Sequence, residues 1–115
     1  MELYRTFNIF KKNITGTKVL LYKSSDYTKQ VTLSSAIGYL YADDKLPSKA
    51  QGFLYLKPYS QNEQIVIGST GNSYKGAVNM LLSAIYLNST EEIWADINYL
   101  GNMQVLLNLV SYDDS

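Results

Sequence analysis

The sequence predicts an α+β domain in which one long helix packs on a mostly antiparallel sheet of four to six strands. Several short segments alternate between apolar and polar residues with the period of a strand. One segment, from Tyr74 to about Leu87, instead has apolar residues at helical spacing. The connections between strand candidates are too short for helical crossovers, which favours antiparallel pairing. With 115 residues, we expect a single domain spanning residues 1–115.

The first part of the chain contains two strand candidates. Residues 3–10, LYRTFNIF, are dense in aromatic and aliphatic side chains, which are typical of strands. Residues 17–23, TKVLLYK, place Val19 and Leu21 on one face of a second strand. Residues 13–16 have the composition of a turn. We therefore expect two strands joined by a turn.

Residues 31–41, VTLSSAIGYLY, fit two structures. Thr32 can cap a helix. Four apolar residues have helical spacing: Leu33, Ala36, Ile37 and Leu40. The alternative, a strand, rests on three alternating residues: Ile37, Tyr39 and Tyr41. We favour a short second helix and keep the strand as the alternative.

Residues 52–59, GFLYLKPY, alternate strictly and predict a strand. Leu54 and Leu56 point to one face. The opposite face carries Phe53, Tyr55, Lys57 and Tyr59. Pro58 cannot donate to a ladder and belongs at the end of the strand or on an edge. Residues 63–68, EQIVIG, predict the next strand.

The segment that follows predicts the long helix, from Tyr74 to about Leu87, with Ser73 as its N-cap. One apolar stripe has helical spacing: Tyr74, Ala77, Val78, Leu81, Leu82 and Ile85. A second apolar strip lies beside it: Met80, Ala84 and Leu87. A helix that is apolar over this width needs cover on more than one side. We therefore expect a homodimer.

Residues 91–112 predict a hairpin that turns at Gly101-Asn102, because glycine at the first central position indicates a type II′ turn. The alternative is a helix from Thr90 to Leu100 with Ser89 and Glu92 as a capping box. We favour the hairpin, because isoleucine, tryptophan, aspartate, asparagine and tyrosine are poor helix formers.

The composition excludes several classes of site. There is no cysteine, so disulfides, thiolate zinc sites and cysteine nucleophiles are absent from this chain. There is no histidine either, which removes the commonest general base and transition-metal ligand. We expect no metal and no cofactor. No apolar run approaches the roughly 20 residues that span a bilayer, and MELYRTFNIFKK lacks the pattern of a signal peptide. We therefore expect a soluble, intracellular protein that does not enter a membrane.

Charge is distributed unevenly along the chain. All ten basic residues lie between Arg5 and Lys75, whereas residues 76–115 contain five acidic residues and no basic one. The net charge of zero therefore conceals a basic first part and an acidic last part. Such asymmetry suggests a nucleic-acid or membrane partner, and of these we favour nucleic acid.

Our leading hypothesis is a non-catalytic protein that binds single-stranded nucleic acid. Bases stack on exposed aromatic rings for about 1–3 kcal/mol each, and interleaved lysines follow the phosphates. The candidate contact residues are Phe53, Tyr55, Lys57 and Tyr59, with Lys11, Lys12, Lys18, Tyr22 and Lys23 in support. The same residues also suit a solvated sheet face or a contact with a protein.

A second hypothesis is an accessory or inhibitor protein of the kind that viruses and mobile elements carry. It would act by protein–protein interaction through the acidic last part, where Glu91, Glu92 and Asp96 would mimic nucleic acid toward a basic partner. Trp94, between these acids, is predicted to be a core residue.

A third hypothesis is a small enzyme that binds or cleaves a nucleotide at the loop between Gly68 and Lys75. Backbone amides at the start of the predicted helix would attract an anion. Its candidate contacts are Ser69, Thr70, Asn72 and Lys75. The loop matches neither the phosphate-binding pattern G-x-x-x-x-G-K-[ST] nor G-x-G-x-x-G. We therefore favour a protein without catalytic activity.

Overall fold

The computed structural model describes residues 2–15, 19–23, 31–41, 51–58, 65–70, 75–81, 83–87, 91–97 and 102–114. Within these ranges every regular element is a β-strand. The strands are β1 (Glu2–Ile14), β2 (Val19–Lys23), β3 (Val31–Tyr41), β4 (Gly52–Pro58), β5 (Ile65–Ser69), β6 (Lys75–Asn79), β7 (Ile85–Leu87), β8 (Glu91–Ile97) and β9 (Asn102–Asp114).

The strands form two sheets that pack face to face. Sheet A has the order β1-β9-β3-β6, and β7 also pairs with β3. Sheet B has the order β2-β8-β4-β5. All of the pairs described are antiparallel. The chain repeatedly crosses from one sheet to the other, and this order of strands is that of a jelly roll.

The core lies between the sheets, and inward and outward side chains alternate along β8 and β9. In β9 the inward side chains are fully or almost fully buried: Met103, Val105, Leu107 and Leu109. In β8 the corresponding residues are Ile93, Ala95 and Ile97. Removing a large aliphatic side chain from water contributes about 1.5–3 kcal/mol, so these rows hold the two sheets together.

The predicted α+β class is wrong, because the segment predicted as the long helix contains two strands. These two strands, β6 and β7, pair with successive parts of β3. Together they act as one strand with an interruption between its two halves. At the interruption the Asn79 side chain accepts a hydrogen bond from the Leu81 backbone amide at 3.3 Å. Such a bond offers the backbone an alternative to helix. Met80 and Leu81 are both buried, so the apolar stripe serves the core of a sandwich.

The favoured short helix in residues 31–41 is also wrong, and the strand alternative is confirmed. The register of β3 against β9 shifts between Leu33 and Ser35. This bulge adds one residue, so the buried positions run Leu33, Ala36 and Leu40 and imitate helical spacing. Ile37 and Tyr39 are exposed, as the strand alternative requires.

Residues 91–97 form a strand and not a helix, as we favoured from the sequence. The predicted hairpin is nevertheless wrong, since β8 belongs to sheet B and β9 belongs to sheet A. Instead β9 lies between β1 and β3, at the centre of its sheet. The chain thus uses this connection to pass between sheets.

Candidate functional site

The outward side of sheet B gathers side chains from all four of its strands, and most of them are aromatic or charged. Because Leu54, Ile93 and Ala95 face the core, the residues that alternate with them face outward. We call this surface the outer B face, and its members are Leu20, Lys23, Phe53, Tyr55, Lys57, Val66, Glu92, Trp94 and Asp96.

Strand register arranges the outer B face into three rows between β4 and β8. Phe53 lies opposite Asp96 in the first row. Tyr55 lies opposite Trp94 in the middle row, which continues to Val66 on β5 and Leu20 on β2. Residues directly opposite one another have Cβ atoms about 4.5–5.5 Å apart, so the members of each row are cross-strand neighbours. The middle row is therefore an apolar and aromatic band across the whole sheet.

The third row carries charges of both signs. Glu92 of β8 lies between Lys57 of β4 and Lys23 of β2. Its side chain is buried, with 9% of its surface exposed. The acids and bases that are far apart in sequence are thus neighbours in space. The four charged residues of the outer B face, including Asp96, balance to zero.

Ring contacts hold the aromatic side chains of this face in place. The ring centroids of Phe53 and Tyr55 are 6.2 Å apart, with an angle of 30° between the planes. The Nζ atom of Lys57 lies 5.5 Å from the centroid of the Trp94 ring. Cation–π contacts of this kind contribute about 0.5–1 kcal/mol at exposed sites. Lys57 therefore lies against the aromatic band.

Two polar groups of the face have unusual environments. Burial raises the pKa of the Tyr55 hydroxyl, and the negative charge of Asp96 and a hydrogen bond to its carboxylate raise it further. The Nε1 atom of Trp94 is buried, and no acceptor for its hydrogen bond exists among the described residues. A buried donor without a partner costs about 1–3 kcal/mol.

The structure brings together part of the predicted nucleic-acid site. Phe53, Tyr55 and Lys57 share the outer B face, and Lys23 lies at its margin. Tyr22 does not join them, because the register of β2 shifts after Leu20 and turns Tyr22 into the core.

The other predicted nucleic-acid contacts lie elsewhere or outside the described ranges. Lys11 and Lys12 belong to β1 in sheet A, so neither is part of the outer B face. Lys18 and Tyr59 lie outside the described residues. The structure therefore does not bring the predicted lysines into one basic patch.

Trp94 is the aromatic member of this face that sequence reasoning missed. It was predicted to lie in the core, but it is half-buried on the outside of sheet B. The signal that identifies its position is the alternation within β8. There Ile93, Ala95 and Ile97 are buried, which leaves Trp94 on the opposite side with its two acidic neighbours.

The predicted anion site loses its physical basis, because β6 begins at Lys75 where the helix was expected. Thr70 is buried and joins the end of β5 to the start of β4. Its amide donates a hydrogen bond to the Gly52 carbonyl at 3.0 Å, and its hydroxyl accepts one from the Gly52 amide at 2.9 Å. The Ser69 hydroxyl accepts from Gln51 Nε2 at 3.2 Å. Asn72 lies outside the described residues, as does the side chain of Lys75.

The described part of the chain shows no group of three acidic side chains that could hold a metal ion. It likewise contains no helix with the length and apolar character needed to cross a membrane.

Comparisons with known proteins identify an architecture and no family. No family model and no curated protein matches this sequence. A solved chain from the acid-stable capsid of Helicobacter pylori bacteriophage KHP30 is similar in structure, with a TM-score of 0.56 and 8% identity over 100% of this chain and 95% of that chain. Eiger TNF from S. frugiperda gives a TM-score of 0.48 and 8% identity over 99% of this chain and 94% of that chain.

A third similar structure is the Drosophila NLP core, whose description refers to pentamer formation and histone binding. Its TM-score is 0.46, with 10% identity over 96% of this chain and 98% of that chain. At these identities the likeness concerns the fold alone.

Proposed function

We propose that this chain is a non-catalytic accessory protein of the viral or mobile-element type, and that its outer B face binds a protein partner. The observation that carries the proposal is the register between β4 and β8, which sets Tyr55 beside Trp94 and balances the charges around them. Tyrosine, tryptophan and phenylalanine are enriched in protein interfaces. Tryptophan and tyrosine also dominate the few residues that supply most of the binding energy.

Electrostatics favours a protein over nucleic acid as the partner. A protein that binds phosphates gains affinity by releasing counterions from them, which requires a surplus of positive charge. On the outer B face Glu92 and Asp96 offset Lys57 and Lys23. Binding of single-stranded nucleic acid therefore stays a prediction. The exposed aromatic rings favour it, but the balanced charges of the face do not. A protein partner can instead present charges of both signs.

The fold adds architectural support. Jelly rolls occur in viral capsids, among other protein classes, and the KHP30 capsid chain shares this topology at a TM-score of 0.56. An accessory role in such an assembly agrees with the chain's small size and with its lack of histidine and cysteine. In this proposal the protein acts inside the cell, where the absence of disulfides is ordinary.

The test is capture of partners on the immobilised chain from lysate of its source, with two matched variants. Tyr55→Ala removes a ring at the centre of the outer B face. Tyr39→Ala removes a tyrosine that is 42% exposed on sheet A and serves as the control. We expect a protein that the wild type and Tyr39→Ala retain and that Tyr55→Ala loses, because a central aromatic anchor contributes about 2 kcal/mol or more.

A parallel measurement of anisotropy uses a fluorescent single-stranded 20-mer at about 50 and 300 mM salt. We expect no binding of the strand. Tight binding that weakens with salt and disappears in Tyr55→Ala would contradict the proposal and support the nucleic-acid hypothesis. Equal partner retention by both tyrosine variants would show that the outer B face is not the binding surface.

A further inference from the structure

The outward side of sheet A carries an apolar row across three strands. Phe10 of β1 and Ile37 of β3 lie on either side of Leu106 of β9. Phe10 is 51% exposed and Ile37 is 41% exposed. Large apolar side chains that are exposed side by side on a sheet mark an interaction surface more often than isolated ones do.

The described side chains around this row are polar and almost without charge. We call this surface the outer A face, and its described members are Thr6, Asn8, Phe10, Lys12, Thr32, Ser35, Ile37, Tyr39, Asn79, Tyr86, Asn102, Gln104, Leu106, Asn108 and Val110. Lys12 is the one charged side chain among these described residues, and its Nζ lies 5.5 Å from the centre of the Phe10 ring.

We propose that the outer A face binds a second copy of this chain. The described part of this face has almost no charge, so it offers nothing to a phosphate backbone or to a strongly charged partner, but it meets its own copy without like-charge repulsion. This inference does not depend on partner binding at the outer B face, which lies on the opposite side of the sandwich.

The order of the apolar row is self-complementary. In a two-fold dimer the same patch serves both copies, so each contact occurs twice. An axis that runs along β9 places Phe10 of one copy opposite Ile37 of the other, in both directions, and Leu106 opposite itself. The same axis brings Lys12 toward Tyr39 of the other copy, where a cation–π contact can form.

The area of the face is sufficient for a weak, reversible dimer. Residues 102–110 of β9 extend about 30 Å at the usual rise per residue, and four strand positions span about 19 Å. Two such faces in contact bury roughly 1,100 Å², slightly above the roughly 1,000 Å² expected of a biological interface. Face-to-face packing of sheets is also the arrangement that holds this fold together internally.

The test is the mass of the full chain by sedimentation equilibrium over a range of about 1 to 200 µM. We expect a reversible dimer. Ile37→Lys places a charge in the apolar row of each copy and should raise the dimer dissociation constant at least about tenfold. Leu20→Lys is the matched control, because Leu20 is 40% exposed but lies on the outer B face, and it should leave the constant unchanged.

A mixing experiment tests the geometry itself. Phe10→Glu and Ile37→Lys should each weaken the homodimer, whereas a mixture of the two variants should form a heterodimer, since the new charges then meet across the axis. Circular dichroism and urea unfolding of each variant verify that it is folded. A wild-type chain that stays monomeric throughout overturns the proposal. So does a dimer that Leu20→Lys weakens and Ile37→Lys does not, or a mixture that fails to associate.

Discussion

At the scale of single residues, Tyr55 couples the candidate site to pH. Burial and Asp96 together raise the pKa of its hydroxyl above the ordinary value of 10.0. The folded state therefore holds this proton more tightly than the unfolded state does. The resulting contribution to stability is complete below pH 10.0 and is lost as the pH rises through the folded-state pKa.

We predict that Tyr55→Phe removes this loss at high pH. The free energy of unfolding of the wild type, measured relative to Tyr55→Phe in urea, should stay level up to about pH 9 and fall above about pH 10. In an Asp96→Asn background the fall should be smaller, because the carboxylate that raises the pKa is gone. If the free energy of unfolding has the same pH dependence in the wild type and in Tyr55→Phe, the prediction is wrong. The folded and unfolded states would then bind the Tyr55 proton equally.

Asn13 illustrates a residue whose role follows from backbone geometry. Its φ is 57°, a region that asparagine enters more readily than most residues. The register of β1 against β9 shifts between Lys11 and Ile14. This bulge lets Ile14 reach the core, where only 1% of its surface is exposed. The Asn13 side chain also accepts a hydrogen bond from Asn102 at 3.3 Å.

At the scale of elements, the edges of the two sheets meet where β5 approaches the segment after β6. A Cβ atom at Gly68 would lie against the backbone carbonyl oxygen of Met80. A Cβ atom at Gly38 would lie 2.6 Å from the sulfur of the same methionine, at the far end of a flexible side chain. Moving the Met80 backbone away from a Cβ atom costs more free energy than rotating the Met80 side chain.

We therefore predict that Gly68→Ala destabilises the protein by about 1–3 kcal/mol and that Gly38→Ala costs clearly less. The measurement is the midpoint of urea unfolding for both variants beside the wild type. An equal loss in the two variants, or no loss in Gly68→Ala, would mean that β5 does not approach Met80 as described.

Elements also show how far sequence patterns predict this fold. Strands such as residues 52–58 were predictable, because their alternation is regular and one face is buried. Residues 31–41 were not, since the bulge after Leu33 changes the period within the strand. Residues 75–87 combine an apolar stripe with an interrupted strand, and only contacts with β3 decide between helix and strand.

At the scale of the whole molecule, the pairing of strands that are distant in sequence creates the candidate site. β4 pairs with β8 across more than thirty residues, and this pairing puts Trp94 beside Tyr55. Sequence reasoning identified Phe53, Tyr55 and Lys57 as outward residues, because that follows from local alternation. It could not place the acids among them, because local patterns contain no information on which strands pair.

The two outer faces of the sandwich differ in a way that suits two kinds of contact. The described side chains of the outer A face are almost uncharged around an apolar row, whereas the outer B face combines aromatic rings with balanced charges. The two proposals assign one contact to each face. Variants of one face should therefore leave binding at the other unchanged.

The emission of Trp94 reports on whether a partner binds the outer B face, because the chain has one tryptophan and it lies in the middle of that face. The measurement is the fluorescence spectrum of the wild type during titration with the partner that the capture experiment retains. We predict a saturable change in wavelength or intensity, because the partner must cover the ring or displace Lys57 from it. A partner that binds while the spectrum stays unchanged would place the binding surface elsewhere and contradict the account.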